Sequence, residues 1–523
     1  MSATTTTLPA PAAARAAGDD AVSAATRKHL RGSSILFVGR LISLGLNFVT
    51  QVLIVRYLSK NDFGAFAYGL SIAQMGQTFS VLGLDKAASR FLPIYDERGE
   101  RNKLLGALLL VTSTVLAAGT AVVGLVIGFN GLLGGSVAST HTGVTVLLIM
   151  AALAPLQALD DVLLGVFAVF SRPRAIFFRK YVLAPSMRLG AIIFVLASQG
   201  SVTGLAAGYV LGGLVGILAY ILMLTATMRA DGIVAGVRLR DVRFPFREIF
   251  GFALPLVAVD LLAVVTNSSN IVMLGHFGSP QGVADYRVVL PAAGLNVIML
   301  SSFGVLFTPI AARLFARQDK QGIHELYWRT AVWISVLSFP VFAATFATSH
   351  AVTVLLFGDR YAGSAPILAL LSLGYYFNAA LGFNGLTLRV YGLVRYSVVI
   401  SVAAGIFNVV INLALIPPLG ALGAGIGTCA TFIVHNILKQ SGLRLGTGIS
   451  VFDPHHWSVY GVILAATGAL AALALGLHAP PVAQIGMVAI ASIAVLLLTR
   501  NRLRVGDMFP ELAKVPLVRR LFG

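Results

Sequence analysis

The residues with chemical potential are polar side chains set inside apolar sequence. Arg40, Asn47 and Gln51 recur at i, i+7 and i+11, a spacing that puts them on one helix face. Arg188 lies in a later apolar run; Asp260 lies further on, and Asp285 and Arg287 open the run after it. A charge at the bilayer centre costs about 2.5–3.5 kcal/mol on insertion scales, so such residues face a cavity or a partner. The guanidinium fork matches phosphate oxygens two at a time, so an excess of arginine points to an anionic substrate such as a phosphate or diphosphate.

A second tier of candidates is Arg56, Asp62, Gln74, Asp160, Asp161 and Asn270. Arg56 and Asp62 border an apolar run and read equally as a surface ion pair. The other buried amides (Gln77, Asn267, Asn296, Asn378, Asn408 and Asn412) suit bonds to neighbouring helices as well as a water-lined path. Two guanidinium groups, Arg40 and Arg188, are divided between a cavity role and a structural ion pair.

Catalytic signatures are missing. No lysine follows a glycine, so the sequence holds no phosphate-cradling Walker loop, and neither G-x-S-x-G nor H-E-x-x-H occurs. The one cysteine, Cys429, sits in an apolar run and permits no intrachain disulfide. Asp453, His455 and His456 crowd together but read as a solvated loop, so no metal and no cofactor is expected.

The elements that must position these residues are membrane helices. Hydrophobic residues make up 57% of the chain and charged residues only 11%, against roughly 25% charged in a soluble domain. Fourteen apolar runs are each long enough to span a bilayer. They lie near 33–55, 64–84, 104–128, 143–166, 175–199, 203–227, 249–274, 283–308, 327–348, 365–388, 394–415, 418–439, 458–478 and 482–499. The fold class is thus an all-α polytopic membrane protein.

The net charge of +18 would suggest nucleic acid in a soluble protein. Here 32 of the 38 basic residues sit in alternate loops and both tails, whereas the opposite side holds only Arg56, Lys60, Arg287 and Arg360. By the positive-inside rule both termini are cytosolic, and the protein belongs in the cytoplasmic membrane.

An internal repeat organises the chain. Gly64-Ala-Phe-Ala-Tyr aligns with Ala284-Asp-Tyr-Arg-Val, and Val169-Phe-Ser-Arg-Pro-Arg-Ala with Val390-Tyr-Gly-Leu-Val-Arg-Tyr. Gly204-Leu-Ala-Ala-Gly likewise pairs with Ala421-Leu-Gly-Ala-Gly, so every offset is close to 220 residues. An even number of spans per repeat predicts two lobes related by an axis along the membrane normal. The expected organisation is a disordered cytosolic tail (1–30), an N-lobe (31–230), a cytosolic linker (231–248) and a C-lobe (249–440). Two extra spans (441–500) and a basic tail (501–523) follow. The mixed basic and apolar runs 85–103 and 309–329 read as helices at the cytosolic interface.

The stretch RYLSKNDFGAFAYGLSIAQM with LGLDKAASRFLPIY resembles the first hairpin of prokaryotic polysaccharide-biosynthesis flippases. These are the Wzx-like branch of the multidrug/oligosaccharidyl-lipid/polysaccharide superfamily. GHFGSPQGVADYRVVLPAAG, LLFGDRYAGSAPILALLSLGYYFNA and NVVINLALIPPLGALGAGIGT extend the likeness to roughly residues 28–500. The resemblance implies a two-lobed, V-shaped transporter that works by alternating access, not an enzyme. It implies an oligosaccharide on undecaprenyl diphosphate as substrate, and a cavity lined by spans 1, 2, 7 and 8, which carries Arg40, Asp260 and Arg287 into it. The family often has an acidic residue near the end of span 7; here that position is Asn270, which puts coupling through such a carboxylate in doubt.

The expected function is export of a lipid-linked oligosaccharide for exopolysaccharide or O-antigen-type assembly, with membrane lipids, a glycan polymerase and a chain-length regulator as partners. A multidrug-and-toxin-type exporter is the alternative, with Asp160, Asp161 or Asp260 as its coupling carboxylate. A membrane-embedded glycan polymerase or ligase would need a large outer loop, which the chain lacks.

Overall fold

The computed structural model describes residues 38–131, 140–169, 176–230, 239–449, 456–476 and 479–503, with isolated residues 135, 137 and 232. The expected N-terminal tail, most of the inter-lobe linker, the basic C-terminal tail and the pair Asp453 and His455 lie outside the described residues. Every described element is helical.

Helices α1 (Val38–Tyr57), α2 (Lys60–Val81), α3 (Leu84–Glu97), α4 (Arg101–Gly128), α5 (His141–Ala151), α6 (Leu153–Val169), α7 (Phe177–Ala197) and α8 (Val202–Ala230) form the first half. The second half holds α9 (Phe246–Phe277), α10 (Pro280–Gly294), α11 (Ile298–Ala316), α12 (Lys320–Ala347), α13 (Ser349–Phe357), α14 (Ala365–Ala380), α15 (Asn384–Val390) and α16 (Val394–Thr447). Helices α17 (Trp457–Gly476) and α18 (Pro481–Leu503) complete it.

Among the described residues eleven helices are long and apolar enough to cross a membrane. One of them, α16, covers two expected spans, which Gly420 separates with φ 56° and ψ −130° just after Pro417 and Pro418. The expected spans 64–84 and 249–274 are occupied by α2 and α9, which are helical but not among the eleven.

The repeat is visible in the element bounds. Helix α1 ends at Tyr57 and α9 at Phe277; α2 begins at Lys60 and α10 at Pro280; α4 begins at Arg101 and α12 at Lys320. Matched serines start the second helix of each half. Ser59 Oγ accepts from the Asp62 amide at 3.1 Å, and Ser279 Oγ accepts from the Gly282 amide at 3.1 Å. Each satisfies an amide that the first helical turn leaves without an intrahelical partner.

The chain divides into two compact units whose boundary cuts through helices. The first comprises the chain up to Gln51, Gly76–Val123 and Ala152–Val257; the second comprises Val52–Met75, Gly124–Ala151 and Ala258 onward. The first unit's core joins α3, α4, α6 and α8 through Leu84, Leu92, Val111, Val162, Phe167 and Tyr220, all buried. In the second unit α12 is the central helix, with Phe342 stacked on Tyr376 at 4.0 Å. Trp333 Nε1 on the same helix donates to the Leu503 carbonyl at 3.0 Å, which ties α18 to it.

Helix α3 is amphipathic, burying Leu84, Ala88, Leu92 and Tyr95 on one face. Tyr95 donates to Glu248 at 2.6 Å, and burial followed by the Glu248 carboxylate pushes its hydroxyl well above the ordinary tyrosine value. Arg90 lies over the Phe252 ring at 4.6 Å, so the α3 segment is anchored to the start of α9 by a ring and a carboxylate.

Candidate functional site

The first unit brings together three of the sequence candidates, Asn47, Arg188 and Asp160. Asn47 on α1 donates to the Ser43 carbonyl at 2.7 Å, and its Oδ1 accepts from Arg188 Nη1 on α7 at 3.5 Å. The Arg188 guanidinium also lies 5.9 Å from the Tyr209 ring centroid on α8. Arg188 and Asp160 then line one cavity of about 50 Å³ together with Gln157, Arg179 and Tyr209. Arg40 is exposed on the α1 face that carries Asn47 and Gln51, and Gln51 Nε2 is a buried donor with no partner among the described residues.

Sequence reasoning missed the strongest charge in this cavity. Arg179 was counted with the loop cations, yet it is only 4% exposed and pairs with Asp160 at 2.6 Å through Nη2. A π-helical turn over Phe177–Leu183 opens α7 and carries it. Such turns insert one residue into the helical ladder and are frequent at functional sites. The guanidinium rests 5.2 Å from the Tyr220 ring centroid and presses on Gly216, where a Cβ would overlap it. Its Nε and Nη1, and the Gln157 Oε1 acceptor, make no hydrogen bond among the described residues. The glycine-rich face of α8 (Gly208, Gly212, Gly213 and Gly216) was the sequence signal for a bulky neighbour there.

The adjacent carboxylate has a different setting. Asp161 accepts from Gln77 Nε2 at 2.5 Å, a neutral donor. Two neighbouring carboxylates on α6 are therefore held in contrasting ways, one by a guanidinium and one by an amide.

In the second unit, Asn270 is 3% exposed and sits in a neutral network. Its Nδ2 donates to Thr428 at 2.7 Å and to Tyr286 at 3.1 Å, while its Oδ1 accepts from Asn412 at 2.9 Å. Asn408 extends the network, donating to Thr431 at 3.1 Å and accepting from Ser269 at 3.1 Å. Asp260 and Arg287 belong to this unit and are half-buried, as is Gln74.

The hairpin charges make other contacts than the sequence suggested. Asp62 accepts from Ser59 Oγ at 2.7 Å, and Arg56 turns away from it to the carbonyls of Leu355 and Leu356 at 2.5 and 3.0 Å. His456 stacks on Trp328 with ring centroids 6.4 Å apart, and no cluster of metal-ligating residues occurs among the described residues. A larger cavity, about 290 Å³, lies among α12, α14 and α17 and is lined by Trp328, Phe342, Tyr376, Trp457 and Tyr460. Its lining carries no charged group, so it suits hydrocarbon rather than an anion.

The long apolar helices and their repeated plan define a polytopic membrane protein, and known structures agree on the fold. The "Lipid II flippase MurJ, inward closed conformation" superposes with a TM-score of 0.67 at 13% identity, covering 91% of this chain and 100% of that one. An "Inward-facing conformation of a multidrug resistance MATE family transporter of the MOP superfamily" gives 0.65 at 15% identity over 78% of this chain and 94% of that one.

A family model described as "Polysaccharide biosynthesis protein" matches residues 29–307, and the chain belongs to that family. It is a family of membrane transporters, not of enzymes. An uncharacterized membrane protein of Methanocaldococcus jannaschii is 23% identical over 433 residues, 79% of this chain and 83% of that protein. The succinoglycan biosynthesis transport protein ExoT of Rhizobium meliloti is 27% identical over 341 residues, 63% of each.

Proposed function

We propose that this protein is a flippase for a lipid-linked oligosaccharide, carried on undecaprenyl diphosphate, in exopolysaccharide or O-antigen-type glycan assembly. The observation that carries the reading is the pair of arginines, Arg179 and Arg188, lining one cavity among the apolar helices of a polysaccharide-biosynthesis transporter. Holding two guanidinium groups there is costly unless anionic groups use them. Asp160 uses one Arg179 nitrogen, and the remaining donors fit phosphate oxygens. Both termini are cytosolic in the cytoplasmic membrane, the head group enters from the cytosolic side, and the lipid tail stays in the bilayer. Alternating access of the two repeats then carries the head group across. The names of the succinoglycan transport relative and of the lipid II flippase support this substrate class.

Replacement of one cavity cation, Arg188, and of the exposed candidate Arg40 tests it. Arg188→Ala and Arg40→Ala, at wild-type membrane levels, are expected to lower glycan export at least about tenfold each, the loss of one charge-assisted contact of about 1.5 kcal/mol or more. Wild-type export from both variants would end the cationic-site reading.

The Asp161 setting favours one other reading, an ion-coupled exporter of small organic cations. Its carboxylate is bonded by a neutral amide rather than by a cation, and intramembrane carboxylates of this kind serve in proton relays. Gradient-driven export of such cations by reconstituted vesicles, lost in Asp161→Asn, is its expected signature.

A further inference from the structure

The outer side of the proposed topology is nearly empty of cations, yet three of its four gather in one place. Arg56, Lys60 and Arg360 meet in the second unit where the hairpin of the first repeat packs against the second repeat. Lys60 at the start of α2 pairs with Asp285 in α10 at 2.7 Å, and Ser364 Oγ donates to the same Asp285 oxygen at 2.6 Å.

The two arginines are exchanged reciprocally. Arg56, from the end of α1, donates to the carbonyls of Leu355 and Leu356 in the last turn of α13. Arg360, just beyond α13, donates to the Val55 carbonyl in the last turn of α1. The last carbonyls of a helix lack intrahelical donors and carry the negative end of the helix dipole, so a guanidinium from outside satisfies both demands. Tyr361 packs edge-on against Phe63 at 6.4 Å, with Lys60 5.6 Å and Arg360 5.4 Å from its ring centroid.

Small residues let the backbones close beneath these contacts. A Cβ on Gly64 would overlap the Pro280 carbonyl, and one on Gly275 would overlap the Tyr68 ring. The polar contacts are few and partly exposed, with Lys60 at 29% and Asp285 at 20%. Such contacts are individually weak. A joint made this way is firm enough to populate and weak enough to part.

We propose that Arg56, Lys60, Asp285, Arg360 and Ser364 form a latch that holds the outer ends of the two repeats together, and that each transport cycle must release it. The proposal rests on the flippase reading for its direction, outer rather than inner, but not for the latch itself. Breaking one contact shifts the closed–open equilibrium by the energy that contact gives the closed state alone.

The test places a reporter thiol at buried Val283 (Val283→Cys) after replacing the single native cysteine (Cys429→Ser). A membrane-impermeant maleimide is added outside intact cells. Lys60→Asp and Asp285→Lys are each expected to speed labelling about fivefold or more, and the charge-swapped double variant to return within about twofold of the parent. Single reversals that label at the parent rate, or a swap that labels as fast as the singles, would overturn the latch. A second arm guards against misfolded reversals: Lys60→Cys with Asp285→Cys, made in the otherwise native chain lacking Cys429 and bridged by a short bismaleimide. The bridge is expected to stop glycan export, and export continuing at the unbridged rate overturns the required release. If no unbridged form exports glycan, the flippase reading fails, while the labelling arm still decides the latch.

Discussion

Removing Arg179 gives the sharpest test of the cavity. In Arg179→Met the aliphatic stem is retained and the guanidinium lost. Asp160, 28% exposed, then keeps a carboxylate inside the first unit without its 2.6 Å partner. Breaking a buried pair by removing one member costs about 3–5 kcal/mol because a charge is stranded. Exposure of Asp160 and the presence of Arg188 on the same cavity argue for the lower end, about 3 kcal/mol. Loss of the contact with the Tyr220 ring adds about 1 kcal/mol. Asp160→Asn alone strands the arginine at a similar cost. The double variant strands nothing, so the cycle should show a coupling of about 2 kcal/mol.

Unfolding of the purified protein in micelles with denaturant, read across the four-member cycle, measures that coupling. Gly216→Ala supplies an independent arm, since its methyl would occupy the space of the guanidinium. It is expected to cost about as much as Arg179→Met, and to cost little further when added to that variant, because the obstruction has gone. A coupling below about 0.5 kcal/mol, or full additivity of Gly216→Ala with Arg179→Met, would refute the buried pair as the organiser of this cavity.

Three further outcomes follow from particular contacts. Asn270→Leu leaves Tyr286, Thr428 and the Asn412 amide without a shared partner, and should lower stability by about 2–4 kcal/mol in the same unfolding assay. Gly420→Ala meets no neighbour but must adopt φ 56° with ψ −130°, so a loss of about 1–3 kcal/mol is expected from backbone strain alone. Tyr95→Phe removes the bond to Glu248 and should cost about 1.5 kcal/mol. The Tyr95 hydroxyl is raised above its ordinary value of 10.0 on folding, so this contribution is full below that pH and fades only as pH rises further. A wild-type versus Tyr95→Phe difference that already shrinks between pH 7 and 9 would contradict the assignment.

The helical plan was legible because apolar runs and turn residues are local signals. The serine caps at Ser59 and Ser279 stand at the same place in each repeat, and they start α2 and α10 at Lys60 and Pro280, ahead of the expected spans from 64 and 283. The junction expected between spans 394–415 and 418–439 falls close to the break at Gly420, just after Pro417 and Pro418. The site was half legible. Arg188, Asp160 and Asn47 stood out as charges and amides in apolar sequence, but their convergence depends on which helix faces meet, and helices apolar all round do not encode that. Arg179 escaped because proximity to a basic stretch made it read as a loop cation; only the π-helical turn carries it inward.

The repeat also bears on the proposed placement of the chemistry in the first unit. Arg188 on α7 and Asn408 on α16 stand 220 residues apart, as do Thr50 and Asn270, and Tyr209 on α8 corresponds closely to Thr428. Corresponding segments of each repeat thus bring polar side chains together, but with opposite results. In the second repeat the cluster is neutral and closes on itself, since Asn270 spends both ends of its amide on Thr428, Tyr286 and Asn412; one acceptor, Asn412 Oδ1, stays unused. In the first repeat the cluster is charged and incomplete, with Arg179 Nε and Nη1, Gln157 Oε1 and Gln51 Nε2 all unmet among the described residues. Buried donors on a guanidinium are expensive to leave idle, whereas a satisfied amide network stiffens a lobe without inviting a ligand. On the proposed reading Asn270 therefore serves the scaffold, and the arginines of the first repeat are the groups offered to an anion.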